Sequence, residues 1–206
     1  PEADFAAEAI NMTHGLRFEV REKQSGEVTP IAVNYQGFYN IYNILAAYSA
    51  ARTGGLALTR FEKVLQEFNP QNGRMEHFTI GNTEVVLNLA KNPAGFNQNI
   101  SAVMEDDKEK DIIIVINDNA QDGTDISWLW DVDFDRFADP SIHSITVSGI
   151  RCQDMRLRMK YVDIPCQLEN DVETAIKKRV QDGCGSLYVL VNYTALFSTR
   201  GILAKM

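Results

Sequence analysis

Two stretches near the start of the chain, 16–20 (LRFEV) and 31–35 (IAVNY), set apolar side chains between polar ones. With the polar turn Lys23-Gln24-Ser25-Gly26 between them, they predict two antiparallel strands. From Phe38 to Arg52 the spacing changes, and Tyr39, Tyr42, Leu45, Ala46 and Ser49 recur at helical intervals. With Ala46, Ala47, Ala50 and Ala51 this stretch predicts a closely packed helix, ended by Gly54-Gly55. Thr59 is placed to cap a second helix through Phe68, with Glu62 at the capping-box position. Asn69-Pro70-Gln71-Asn72-Gly73 then reads as a linker between two domains, 1–72 and 73–206.

Beyond the linker, strands and helices alternate. Strands are expected at 76–80, 83–88, 111–117, 142–148 and 186–192, and helices at 94–105, 132–138, 151–160, 170–182 and 193–204. The first two strands form a hairpin across Gly81-Asn82, and the rest read as β-α-β units. The fold class is therefore α/β, with a Rossmann-like, mostly parallel sheet covered by helices. Asp106 to Lys110 (DDKEK) is expected to form a solvated helix-end turn.

Composition narrows the function without naming it. Hydrophobic residues at 45% and charged residues at 23% are ordinary for a soluble globular protein. A net charge of −8 argues against nonspecific nucleic-acid binding and against a basic membrane-docking face. The most apolar run, Ile112 to Ile116, has strand length, far short of the roughly 18 to 20 residues that cross a bilayer. Cys152, Cys166 and Cys184 lack C-x-x-C spacing and read as reduced cytosolic thiols. The start at Pro1 reads as a fragment cut from something longer.

The residues that could carry chemistry fall into four groups. Asn40 and Asn43 lie three apart on one face of a helix start; Asn40 suits a cap, and Asn43 can donate and accept at once, as an adenine edge requires. Arg74, after Gly73, is a surface arginine or a planar fork for phosphate or ribose. Asn88, Lys91 and Asn92 sit at a strand end before Pro93, where a helix N-terminus offers free backbone N–H groups to an anion. Asn117 to Asp135 (NDNAQDGTDISWLWDVDFD) gathers Asp118, Asp122, Asp125, Asp131, Asp133 and Asp135 around Trp128 and Trp130. An Asp-Gly turn explains Asp122 and a helix cap suits Asp131; otherwise the stretch is a solvated loop or fits a metal, an oriented histidine or a partner surface. It does not match a calcium loop. His14, His77 and His143 are scattered, and no G-x-x-x-x-G-K-[ST] occurs.

At these motifs the chain resembles the Mur ligases, ATP-dependent amide-forming enzymes of peptidoglycan synthesis. GFYNIYNILAA is similar to their G-x-x-N-x-x-N-x-x-A-A segment at the end of the central ATPase domain. GRME is similar to the junction motif, and NLAKNP to the Asp-Tyr-Ala-His-Asn-Pro segment opening the C-terminal domain. LAKNPAGFNQ, DGTDISWLWDVDF and NYTAL resemble the MurT branch, the ligase-like subunit of lipid II isoglutaminyl synthase. PEADFAAEAI resembles the stretch after that branch's four-cysteine zinc ribbon.

The resemblance implies a remnant of the central domain over 1–72 and a C-terminal Rossmann-like domain over 73–206. It implies ATP contacts by Asn40, Asn43, Arg74, Asn88, Lys91 and Asn92, with Asn43 toward adenine. Asn88 stands where classical relatives have an aspartate, and Lys91 where they have a histidine. It implies a GatD-type glutaminase partner whose Cys-His pair borrows one of Asp118, Asp122 and Asp125. The implied reaction amidates the α-carboxylate of D-glutamate in the lipid II stem peptide, in the cytoplasm at the inner membrane face. ATP and Mg2+ would be bound mostly, and Zn2+ entirely, by parts upstream of Pro1, so this stretch alone is expected to be inactive. Two other classes stay open: a Mur-type ligase similar to folylpolyglutamate synthase, and a docking module without catalysis.

Overall fold

The computed structural model describes residues 3–13, 15–34, 37–68 and 73–206, and the chain divides into two compact units, 1–70 and 71–206. The linker expected at 69–73 lies outside the described residues except for Gly73, as do His14 and Tyr35.

The first unit is a three-stranded antiparallel sheet, β1 (Phe5–Asn11), β2 (Leu16–Glu22) and β3 (Val28–Val33), with helices α1 (Tyr39–Thr53) and α2 (Leu58–Glu67). Alternation sets its face: Leu16, Phe18 and Val20 point inward from β2, and Thr29, Ile31 and Val33 from β3. Pro30 lies within β3, which is an edge strand, so its missing N–H need not break a ladder bond. Tyr48 of α1 is fully buried, its hydroxyl 2.7 Å from Thr29 Oγ1 and its ring edge-on to Phe61.

Three expectations change here. β1 was not expected, because FAAEAIN shows no clean alternation; its residues are half-buried or exposed. Along α1 the buried stripe is Ile41, Ile44 and Tyr48, while Ala46, Ala47 and Ala50 are exposed, so the helix is not closely packed on its alanine side. Thr59 does not cap α2: the helix starts at Leu58, the cap position is Ala57, and no side chain serves it. Phe61 in the core, with Leu58 and Leu65 packed against it, fixes that start by burial, which outweighs a local cap of about 1 kcal/mol.

The second unit is a six-stranded sheet in the order β4 (Glu76–Ile80), β5 (Thr83–Leu89), β9 (Ser186–Val191), β6 (Lys110–Val115), β7 (Ile142–Ser148), β8 (Gln167–Leu168). β4 and β5 form the antiparallel hairpin, and every other neighbouring pair is parallel. The central strands are apolar without alternation because both faces are covered. Val86, Ile112, Ile114 and Leu190 meet α3 (Pro93–Met104) and α4 (Cys152–Tyr161). Leu87, Ile113, Val115 and Val189 meet α5 (Val172–Gln181) and α6 (Tyr193–Leu203).

The helix expected at 132–138 is absent. Two short 3-10 turns, Ser127–Asp131 and Phe134–Phe137, stand there instead. Leu129, Val132, Phe134 and Phe137 are all buried at spacings of two and three, which suits tight turns and not an α-helical stripe. The two-residue strand β8 was also unexpected, being too short to leave a periodic signal.

Candidate functional site

Since β5, β6, β7 and β9 are parallel, their carboxyl ends share one edge, where α/β sheets place ligands. The turn after β5 is built locally. Asn92 is extended and its Oδ1 accepts the Gly95 N–H at 2.7 Å, with Pro93 in the first turn of α3. Lys91 stays exposed beside this cap.

The stretch before β4 reaches the same place. Gly73 O accepts the Leu89 N–H at 2.6 Å, and a β-carbon on Gly73 would lie 2.2 Å from Leu196 Cδ1. Met75 adopts a φ of 50° and its N–H is taken by Asn88 Oδ1 at 3.1 Å. Glu76 holds the Gly73 N–H with one oxygen and Arg200 with the other. Arg74 is thus exposed on a backbone fixed at both sides, next to the carboxyl end of β5. Asn88 is buried, and its Nδ2 donates to Asn99 Oδ1 at 2.8 Å and to Met75 Sδ at 3.2 Å. Its amide is spent inside the fold, supporting the segment that carries Arg74.

The long connection after β6 is tied down by residues distant in sequence. Asn117 Oδ1 accepts the Ile150 N–H, and Gly149 makes this approach possible: its φ is 85°, and a β-carbon would sit 2.7 Å from Ile116 O. Asp118 pairs with Arg151 at 3.0 Å. Asp122 Oδ1 accepts the Thr194 N–H at 2.8 Å, and its Oδ2 accepts the Thr194 hydroxyl. Farther on, buried Arg158 donates to Leu129 O at 3.1 Å and Val132 O at 2.8 Å, its guanidinium lying over Trp130 and Phe134.

Asp125 differs from its neighbours. It is exposed, and its only partner among the described residues is Ser127, whose N–H it accepts at 2.8 Å. That backbone bond, then the Ser127 side chain, holds its carboxyl below the usual aspartate range. Of the three aspartates the sequence could not separate, two are occupied by other residues of the fold and one presents its charge to solvent.

Asn40 and Asn43 belong to the first unit. Asn40 lies within α1 and does not cap it, since the cap position is Phe38, and Asn43 Nδ2 donates to Asn40 Oδ1 at 3.3 Å. Among the described residues no group of three or more His, Cys, Asp or Glu could hold a metal ion, and no helix is long and apolar enough to cross a membrane. Cys184 is pushed up to about 11 by burial and by Asp111, and burial also raises Cys166, so neither is a ready nucleophile. Exposed His77 and His143 each lie 3.1 Å from a carboxylate, Glu84 and Asp111. Thr194, Asn192 and Arg158 escaped the reading of single residues. NYTAL stood out as a motif, whereas nothing in the helix around Arg158 marks it.

The family model described as "MurT ligase C-terminal" matches residues 89–196. A subunit MurT of lipid II isoglutaminyl synthase (glutamine-hydrolyzing) from Staphylococcus aureus is 38% identical over 162 residues, 78% of this chain and 37% of that protein. A Streptococcus pneumoniae protein of the same name is 33% identical over 172 residues, 82% of this chain and 38% of its own length. The chain therefore spans well under half of these relatives. Among solved structures, MurF from Acinetobacter baumannii superposes with a TM-score of 0.75 at 14% identity, covering 98% of this chain and 45% of that one, a likeness of fold.

Proposed function

The chain belongs to the MurT ligase family, and on that premise we propose that it is the carboxyl-terminal part of a lipid II isoglutaminyl synthase subunit working with a GatD-type glutaminase. The reaction is amidation of the α-carboxylate of D-glutamate in the lipid II stem peptide, at the inner face of the membrane. ATP supplies the activation, converting that carboxylate to an acyl phosphate that ammonia from the partner then attacks. Its Mg2+ is held elsewhere in the protein, as is the phosphate-binding loop, so this stretch alone does not turn over. Arg74 and Lys91, exposed cations at the carboxyl end of β5 by the start of α3, suit the phosphates or ribose of ATP. Asn88 and Asn92 act behind them by fixing the backbone; in the first unit, Asn43, hydrogen-bonded to Asn40, suits an adenine edge.

The observation that carries this reading is the state of Asp125. A lent aspartate must be ionised, accessible and held in one orientation, so that it can align an imidazole and stabilise its charged form. Asp125 meets all three conditions, while Asp118 is paired and Asp122 is filled by Thr194. In the full-length subunit assembled with a class I glutaminase, Asp125→Asn is expected to lower glutamine hydrolysis by roughly 10²-fold or more. Asp118→Asn should fall less than about tenfold. If Asp118, Asp122 and Asp125 can each be replaced with no loss of rate, the reading fails.

A further inference from the structure

The geometry points to Thr194 as the positioning residue for Asp125, acting through Asp122; this rests on Asp125 being the carboxylate offered to the partner. Two elements exchange caps at this edge. Asn192 occupies the N-cap position of α6, yet its side chain does not cap that helix. It bridges the carboxyl ends of β6 and β9 instead, accepting the Asn117 N–H at 3.1 Å and donating to Asn117 O at 2.7 Å. The open helix end is filled by Asp122, which arrives from 72 residues earlier in the chain. A carboxylate there satisfies a free N–H and meets the positive end of the helix.

The Thr194 hydroxyl completes the grip. It donates to Asp122 Oδ2 and accepts from Asn119 Nδ2 at 2.9 Å and Asn117 Nδ2 at 3.3 Å. A hydroxyl has one proton to give and two lone pairs to fill, and one loop uses all three. Asn192 could have capped its own helix with no gain elsewhere. Importing the cap from the loop adds something a local cap cannot, since it fixes residues 117–122 against the rigid end of β9. Asp125 follows three residues later; on its far side Ile126 and Trp128 rest against the core and Leu129 lies in it under Arg158, so the Thr194 grip is what fixes the near side. Thr194 therefore sets the place from which Asp125 reaches the partner, without touching glutamine or the reacting atoms.

The test uses the full-length subunit assembled with its glutaminase. Thr194→Val is expected to lower kcat for glutamine hydrolysis by on the order of tenfold, a displaced carboxylate being enough for that. The KM for glutamine should hold. The alkaline limb of the pH profile should move to lower pH, as it should for Asp125→Asn, because an imidazolium without its carboxylate loses its proton more easily. Thr194→Ser keeps the hydroxyl and should restore the rate to within about twofold. If Thr194→Val matches the unaltered complex in rate and pH profile while Asp125→Asn is crippled, the inference is overturned and the lent aspartate stands. If Asp125→Asn is itself harmless, the inference falls with the choice of Asp125, and the lent-aspartate reading falls as well only if Asp118 and Asp122 can also be replaced without loss. Should Thr194→Val fail to assemble, Asp122→Asn keeps an acceptor for the Thr194 N–H but turns an amide toward the hydroxyl, and the same outcomes decide.

Discussion

Two connections leave the carboxyl edge of the sheet, and they are stabilised in opposite ways. The turn after β5 needs three residues, Ala90 to Asn92, before a helix begins; Ala90 still donates to Val191 O as an extension of the sheet, and beyond it the fastening is short-range, Asn92 reaching Gly95. The connection from β6 to β7 runs from Ile116 to Ser141 and forms no α-helix. It is held by Ile150, Arg151, Arg158, Thr194 and Asn97, all far away in sequence. The short turn can present an exposed lysine because the helix behind it supplies rigidity. The long loop can present an exposed aspartate only because other elements hold it from outside.

The hardest blow to this contrast falls on the loop's apolar anchors. Phe134 is fully buried, packs at 5.1 Å against Phe96 and lies under the Arg158 guanidinium. Phe134→Ala is expected to destabilise the fold by about 3–5 kcal/mol in urea unfolding, as for a core phenylalanine. Lys91→Ala, on the short turn, should stay within about 0.5 kcal/mol. A loss under about 1 kcal/mol for Phe134→Ala would show that the loop merely rests on the sheet. Next comes Gly149, whose positive φ and contact with Ile116 O leave no room for a β-carbon. Gly149→Ala should cost about 2–3 kcal/mol by the same measurement. Tolerance there would mean that Asn117 is not held tightly to the start of α4.

The same difference decides what could be seen before the structure. β5, β6 and β9 were legible because strands covered on both faces carry unbroken apolar runs, Val85–Leu87, Ile112–Val115 and Leu187–Val191, and the Asn92-Pro93 start of α3 because cap and first turn are neighbours. The helix expected at 132–138 gives way to a 3-10 turn, because Val132, Phe134 and Phe137 are buried by partners far away in the chain. Choosing among Asp118, Asp122 and Asp125 was impossible for the same reason: their environments are set by Arg151, Thr194 and Ser127, and only Ser127 is close by. Asn88 looked like a ligand contact at a strand end. Only Asn99 and Met75, placed on either side of it by the fold, turn its amide inward.

A milder test lies on the short turn. Asn92→Ala removes one helix cap and should destabilise by about 1 kcal/mol, while Asn92→Asp or Asn92→Ser should be within a few tenths of the parent in the same unfolding measurement. An Asn92→Ala loss as large as that of Phe134→Ala would show that the turn also depends on distant partners, and the contrast would collapse.

The smallest effect is the most local. Asp125 titrates below the ordinary aspartate range chiefly because of the Ser127 backbone N–H and secondarily because of the Ser127 side chain. Since the folded pKa is the lowered one, the stabilisation of this turn is complete above the ordinary carboxylate range. It is lost as pH falls through the lowered value. Ser127→Ala keeps the N–H, so the Asp125 carboxyl should move only part of the way back in a carbon-13 NMR titration. Ser127→Pro removes the donor and should return it to the ordinary range. If Ser127→Ala alone restores the ordinary value, the side chain and not the backbone orients Asp125, and the one of the three candidate aspartates left unoccupied would be held more loosely than its geometry implies.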